Sequence, residues 1–175
     1  NIVYGHDAFA GELGHTTIIR DGRECGCGLK GCLETYTSAT GVARTAKEFL
    51  QRDNTPSLLR NLDIDSISSK DIYDAAKQGD KLALEIFDFT ADIMGKAFAN
   101  FVAFSAPEAI ILFGGLTKAK EFLTEKIEKS MNENGMLVKK EYVKGRKNLY
   151  SNPAVTEYNK TTDSANRTVT TLMRI

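Results

Sequence analysis

Gly11-Glu12-Leu13-Gly14-His15, nine intervening residues, then Cys25-Gly26-Cys27-Gly28-Leu29-Lys30-Gly31-Cys32-Leu33-Glu34 is the stretch that organises this chain. All three cysteines of the protein fall within it, between positions 25 and 32. Three thiolates and one imidazole make a complete tetrahedral ligand set for zinc. Four protein ligands leave no open position for a catalytic water, so a metal held by His15, Cys25, Cys27 and Cys32 is expected to be structural. Gly26, Gly28 and Gly31 alternate with the cysteines. A short loop wrapped round an ion needs backbone conformations that residues with a Cβ resist. A disulfide is the competing reading. It explains less, because Cys25 and Cys27 are too close to pair comfortably and three cysteines leave one over. His6, the other histidine, lies in a Tyr-Gly-His-Asp run that reads as a solvent-facing turn.

Outward from the loop, Thr16-Thr17-Ile18-Ile19-Arg20 is short and β-branched, which predicts a strand, and Asp21-Gly22 a turn. From Leu33 to about Arg52, Val42, Ala46, Phe49 and Leu50 recur at helical spacing. Asp53 to Ser57 breaks this helix, and Ser57 to Leu62 reads as a short helix or turn. Ser68 or Ser69 then caps a short helix ending at Gly79. Asp80 caps the longest one, in which Leu82, Ile86, Phe89, Ile93, Ala97, Phe101 and Phe104 keep a 3.6 period. Leu84, Phe87, Met94, Phe98 and Val102 widen its apolar face, so core packing rather than an aromatic binding stripe is expected. Pro107 stops the chain turning on. Ala109 to Phe113 is a continuous apolar run, the pattern of a buried parallel strand. Gly114-Gly115 ends it, and Lys118 to about Asn132 is amphipathic. Helix, buried strand, glycine turn, helix is an α/β layout.

With 175 residues and 42% apolar side chains, the chain is long enough for one domain with a real core. Its 23 basic and 23 acidic side chains are interspersed, so no nucleic-acid surface is expected. Clustered, reduced cysteines predict a cytoplasmic protein. No apolar run approaches about 18 residues and no leader pattern opens the chain, so neither a membrane span nor a signal peptide is expected. Asn1 is not an initiator methionine, which predicts a fragment or a start removed.

The motif Gly-Glu-Leu-Gly-His, followed by Cys-Gly-Cys-Gly-x-x-Gly-Cys-Leu-Glu, closely resembles the signature of the ROK family of bacterial sugar kinases and sugar-responsive repressors. The resemblance continues through Glu34-Thr35-Tyr36 and Ser38 to Ala43. It returns at Ile93-Met94-Gly95-Lys96 and from Pro107 to Leu116, covering roughly residues 1 to 130. Its wording is most similar to the glucokinase branch. What the resemblance implies is an actin-like ATPase (ribonuclease H-like) fold of two α/β domains with a ligand cleft between them. This chain would be the second, zinc-containing domain, residues 1–148. Residues 149–175 form an atypical polar tail, rich in Thr and Asn; Tyr150 to Ile175 contains no glycine. A divergent end, a reading-frame slip or an expression-vector scar would each give such a tail.

The resemblance also implies roles. Glu12, His15 and Glu34 would contact a hexose. A sugar offers several hydroxyls that can donate to carboxylates, and a metal-ligating histidine can donate from its second ring nitrogen. Solvated turn and helix-start charges are the alternative reading of Glu12 and Glu34. Gly114, Gly115 and Leu116 would line a nucleotide site, or else form only a tight turn. No Lys-Ser/Thr follows at Walker spacing. The intact enzyme would use ATP and Mg²⁺, move the γ-phosphoryl group to a hexose hydroxyl, glucose at carbon 6 first among them, and form a homodimer. The phosphate loop and catalytic aspartate would lie in the absent first domain. Asp7 and Asp21 do not match the catalytic setting, so no catalytic residue is assigned here and the fragment alone is expected to be inactive. A ROK-type repressor and a zinc-stabilised interaction module are the alternatives.

Overall fold

The computed structural model of the protein describes residues 3, 5–7 and 10–134, together with the backbone of residues 171–174. The chain divides into two compact units, Asn1–Met94 and Gly95–Ile175. The 148/149 tail boundary lies outside the described residues.

In the first unit the metal-loop region has almost no regular structure. The strand expected at Thr16 to Arg20 reduces to a single bridge, Thr17 with Cys32. The reason is local. The amide and hydroxyl of Thr16 both turn back to the Leu13 carbonyl. The Ile18 and Ile19 amides converge on one acceptor, the Gly31 carbonyl, so no ladder can propagate.

The helix expected over Leu33 to Arg52 is two helices, α1 (Glu34–Thr37) and α2 (Ala39–Arg52). Ser38 adopts an extended ψ of 166° between them, and its hydroxyl accepts the Gly41 amide at 3.0 Å. Capping α2 in this way interrupts the α1 ladder. Gly41 allows the close return: a Cβ there would stand 2.8 Å from the Glu34 carbonyl oxygen. The core beneath includes Tyr36, Val42, Ala46 and Leu50. Tyr36 and Phe49 each meet Phe89 edge-on, with centroids at 6.3 and 5.5 Å.

A single 3-10 turn, Leu58–Asn61, follows. Next comes α3 (Ser69–Lys77), closed at its start by a reciprocal Ser68–Asp71 capping box. Gly79, at φ +80°, lets the chain leave α3. Asp80 caps α4 (Lys81–Ser105), accepting the Ala83 amide at 2.9 Å on one oxygen and the Leu58 amide on the other. The boundary between the units falls inside α4. Leu82, Ile86 and Phe87 are fully buried, as the 3.6 period predicts. Phe104 departs from it and is 91% exposed.

In the second unit, the run at Ala109 forms β1 (Ala109–Leu112), but not as a buried parallel strand. It pairs antiparallel with β2 (Thr171–Arg174), Ala109 opposite Arg174 and Leu112 opposite Thr171. Ile111 and Phe113 are exposed. A continuous apolar run fixes neither strand direction nor which face is covered, which is why the expectation fails. A 3-10 turn, Gly115–Ala119, leads into α5 (Lys120–Asn134), whose Leu123, Ile127 and Ser130 are buried. No helix of the described residues is long and apolar enough to cross a membrane.

Candidate functional site

A 3-10 turn over Leu13–His15 places the imidazole, with the His15 amide donating to the Glu12 carbonyl. The cysteines sit on a tight reversal. The Gly28 amide donates to the Cys25 carbonyl and the Cys25 amide to the Leu29 carbonyl, both at 3.0 Å. Glu24 and Lys30 bridge across the loop, and the Gly31 amide donates to the Arg23 carbonyl at 2.8 Å. Gly31 is required twice over. Its φ is +75°, and a Cβ would fall 1.7 Å from the Ile19 carbonyl oxygen.

The four predicted ligands converge: one donor atom from each of His15, Cys25, Cys27 and Cys32 lies within 4.8 Å of all the others. His15 Nδ1 is 3.6 Å from Cys25 Sγ, and Cys27 Sγ is 3.6 Å from Cys32 Sγ. Tetrahedral bonds of about 2.3 Å to sulfur and about 2.0 Å to nitrogen set ligand atoms roughly 3.5–3.8 Å apart, so these spacings fit zinc. They do not fit a disulfide, whose sulfurs lie about 2.05 Å apart, and all three cysteines are free. Cys25 and Cys32 are buried and Cys27 is exposed. His6 is outside the cluster, exposed beside Asp7.

The electrostatics of the pocket oppose three thiolates unless a cation is present. At Cys25 the Cys27 amide favours the thiolate. The Glu34 carboxylate, burial and the other thiols oppose it and push the Cys25 thiol up to about 12. Burial also raises the Cys32 thiol, and the Cys27 sulfur adds to the rise. The Leu29 amide draws the Cys27 thiol below its usual range. A divalent ion reverses this balance, because a coordinating thiol is deprotonated by the metal's own charge.

Two of the three expected sugar contacts join the metal set. Glu34 opens α1, and its Oε1 accepts from the Cys25 thiol at 3.0 Å and lies 3.7 Å from His15 Nδ1. With Nδ1 turned toward the sulfurs, Nε2 of His15 is the nitrogen left for another partner. Glu12 is exposed at the start of the same 3-10 turn.

Arg23 is the residue that sequence reasoning missed. It is 7% exposed. Its guanidinium donates to both Glu48 oxygens, to the Thr35 and Gly41 carbonyls and to the Thr45 hydroxyl. It also stacks on Tyr36 at 4.3 Å, while the Arg23 amide donates to the Tyr36 hydroxyl at 2.9 Å.

In the second unit, Gly114 follows β1 at φ +105°, a conformation that favours glycine. Gly115 and Leu116 open the 3-10 turn, closed by the Thr117 hydroxyl and amide donating to the Gly114 carbonyl. A Cβ at Gly114 or Gly115 would meet nothing within 4 Å.

A profile of the ROK family matches residues 1–151, extending past the roughly 130 residues covered by the motif-level resemblance. The glucokinase of Halalkalibacterium halodurans is 39% identical over 130 residues, 73% of this chain and 39% of its own length. The DNA-binding transcriptional dual regulator NagC of Escherichia coli is 28% identical over 135 residues, 77% of this chain and 32% of its own. Among solved structures, a ROK family glucokinase from Streptomyces griseus in complex with glucose and AMPPNP aligns with a TM-score of 0.70 and 32% identity, over 78% of this chain and 45% of that one. The chain therefore spans about two fifths of the length of the curated glucokinases it matches.

Proposed function

The chain belongs to the ROK family, and on that premise we propose that it is the C-terminal, zinc-holding part of an ATP-dependent hexose kinase of the glucokinase kind. The whole enzyme transfers the γ-phosphoryl group of ATP to a sugar hydroxyl, glucose at carbon 6 being the first candidate. It works in the cytoplasm as a homodimer.

The observation that carries this reading is the junction of Glu34 with the metal set, 3.0 Å from Cys25 and 3.7 Å from His15. A carboxylate and an imidazole held at fixed separation suit adjacent sugar hydroxyls. Each hydroxyl can donate to an ionised carboxylate and accept from a ring N–H. Glu12 adds a second carboxylate on the same turn as His15. Zinc, when bound, supplies rigidity to the loop and no open coordination position. Gly114, Gly115 and Leu116 offer backbone to the nucleotide, and Mg²⁺ and the catalytic base belong to the part of the enzyme outside this chain.

The identity of 39% to a glucokinase against 28% to NagC favours the kinase over a sugar-responsive repressor. The sequence preceding Asn1 separates them, an actin-like phosphate loop for the kinase and a helix-turn-helix for the repressor. The direct test is hexose-dependent ADP formation by the full-length protein, with a panel of hexoses. The 175-residue chain alone should be inactive. Full-length protein that consumes no ATP with any hexose overturns the reading.

A further inference from the structure

We propose that Arg23 is a positioning residue of the sugar site, a reading that rests on Glu34 as a sugar-binding carboxylate. Arg23 grips both sides of the site at once. Through its backbone it holds the metal loop: its carbonyl accepts the Gly31 amide at 2.8 Å, one residue before the ligand Cys32, and it lies two residues before the ligand Cys25. Through its side chain it holds α1. Nη1 donates to the Thr35 carbonyl at 2.7 Å, and the guanidinium stacks on Tyr36 at 4.3 Å. Thr35 and Tyr36 are the two residues directly after Glu34, so the turn that aims the Glu34 carboxylate is clamped from two directions.

The other end of the clamp is α2. Nε donates to Glu48 at 2.9 Å, Nη2 to the second Glu48 oxygen and to Thr45 at 2.9 Å, and Nη1 to the Gly41 carbonyl at 3.1 Å. Only a guanidinium has the planar, multiply donating shape for this set. A lysine in the same place reaches one of these acceptors at a time. Zinc fixes His15 and the cysteines to one another, but no zinc ligand lies in α1. The 3.0 Å spacing of Glu34 from Cys25 is therefore set by the Leu33–Glu34 chain link on one side and by Arg23 on the other. Misplacement of a binding group by about 1 Å is enough to cost an enzyme one to two orders of magnitude.

The test is steady-state kinetics of the full-length protein carrying Arg23→Gln, Arg23→Lys and Glu48→Gln, alongside zinc content and thermal stability. The expected result is a hexose KM raised roughly tenfold in both Arg23 variants, kcat within about twofold and one zinc per chain retained. Glu48→Gln shifts KM in the same direction by less. It also keeps the test informative if the Arg23 variants fold poorly, since the Glu48 side chain is 47% exposed. Wild-type enzyme with a measurable hexose KM that none of the variants changes overturns the role of Arg23 alone. So does a kcat lowered in step with the folded fraction at constant KM. Wild-type protein that binds no hexose overturns the sugar-site reading and this proposal with it.

Discussion

The thiol of Cys25 donates to Oε1 of Glu34 at 3.0 Å, so a thiol of the candidate metal cluster and the carboxylate proposed for the sugar share one contact. A metal bound at Cys25 would displace the thiol proton to solvent; that donor would then be lost and the carboxylate released toward solvent, where the Glu34 side chain is already 45% exposed. Metal loading and the availability of the carboxylate are thus linked through a single proton.

The first consequence concerns the metal. Protein purified without chelators should carry one zinc per chain, measured by atomic emission. Cys27→Ser, which removes the exposed thiolate, should drop the content below about a tenth of an equivalent. It should also loosen residues His15 to Glu34 in hydrogen exchange, since structural zinc contributes folding energy to its loop. A wild-type content below about a tenth of an equivalent counts against the zinc centre.

Glu34→Gln tests the carboxylate without changing its shape. A hydrogen bond to a charged group contributes about 1.5–3 kcal/mol, so hexose binding to the full-length protein should weaken roughly 10- to 100-fold by calorimetry. Zinc content should stay near one equivalent. Loss of zinc together with sugar would instead make Glu34 a ligand of the metal.

Gly31→Ala should be among the most damaging single changes in the loop. Positive φ costs about 1–3 kcal/mol in strain, and the Cβ would overlap the Ile19 carbonyl oxygen at 1.7 Å. Gly26→Ala is the control, because nothing lies within 4 Å of its Cβ. Its effect on the melting midpoint should correspond to no more than about 0.5 kcal/mol.

The convergence of His15 with the three cysteines was legible because the residues are compressed into nearby positions. His15 and the three cysteines need only local turns to meet, and the alternating glycines announce those turns. The caps at Ser68 and Asp80 were legible for the same reason. Ser38 was not. Its run reads as continuous helix, and only the close return of Gly41 over Glu34 shows that the serine caps a new one. Arg23 was hidden by distance, since its side-chain partners lie 12 to 25 residues further along. β1 was misread because apolar content sets burial demand, not strand direction.

The Ser68–Asp71 capping box makes an acid-dependent contribution to the first unit. The Ser68 hydroxyl and amide hold the Asp71 carboxyl below the ordinary aspartate value of about 3.9. A depressed carboxyl contributes stability that is present above the unfolded value and lost as pH falls through the folded one. Ser68→Ala should cost about 1 kcal/mol at neutral pH. Its deficit against wild type should narrow in acid below the unfolded value, as urea midpoints across pH would show. A deficit that stays constant into strong acid would mean that the charge plays no part.

Gly95→Ala sets two opposed effects against each other in the second unit. Alanine is favoured over glycine inside a helix by about 0.8–1.0 kcal/mol, which would stabilise α4. A Cβ at position 95, however, would stand 2.4 Å from Ser130 Cβ and 2.8 Å from the Ile127 carbonyl oxygen, both on α5. Side-chain rotation cannot relieve a contact with a backbone carbonyl, so α5 must move away. Overpacking of this kind costs about 1–3 kcal/mol. The overpacking is the larger, and Gly95→Ala should be net destabilising, with faster hydrogen exchange concentrated in Lys120–Asn134. Adding Ser130→Gly removes the 2.4 Å contact but leaves the carbonyl one and carries glycine's own helix penalty. The double variant should therefore show positive coupling in a mutant cycle without regaining wild-type stability. A stabilising Gly95→Ala would mean that the α4–α5 approach is looser in solution than 2.4 Å requires.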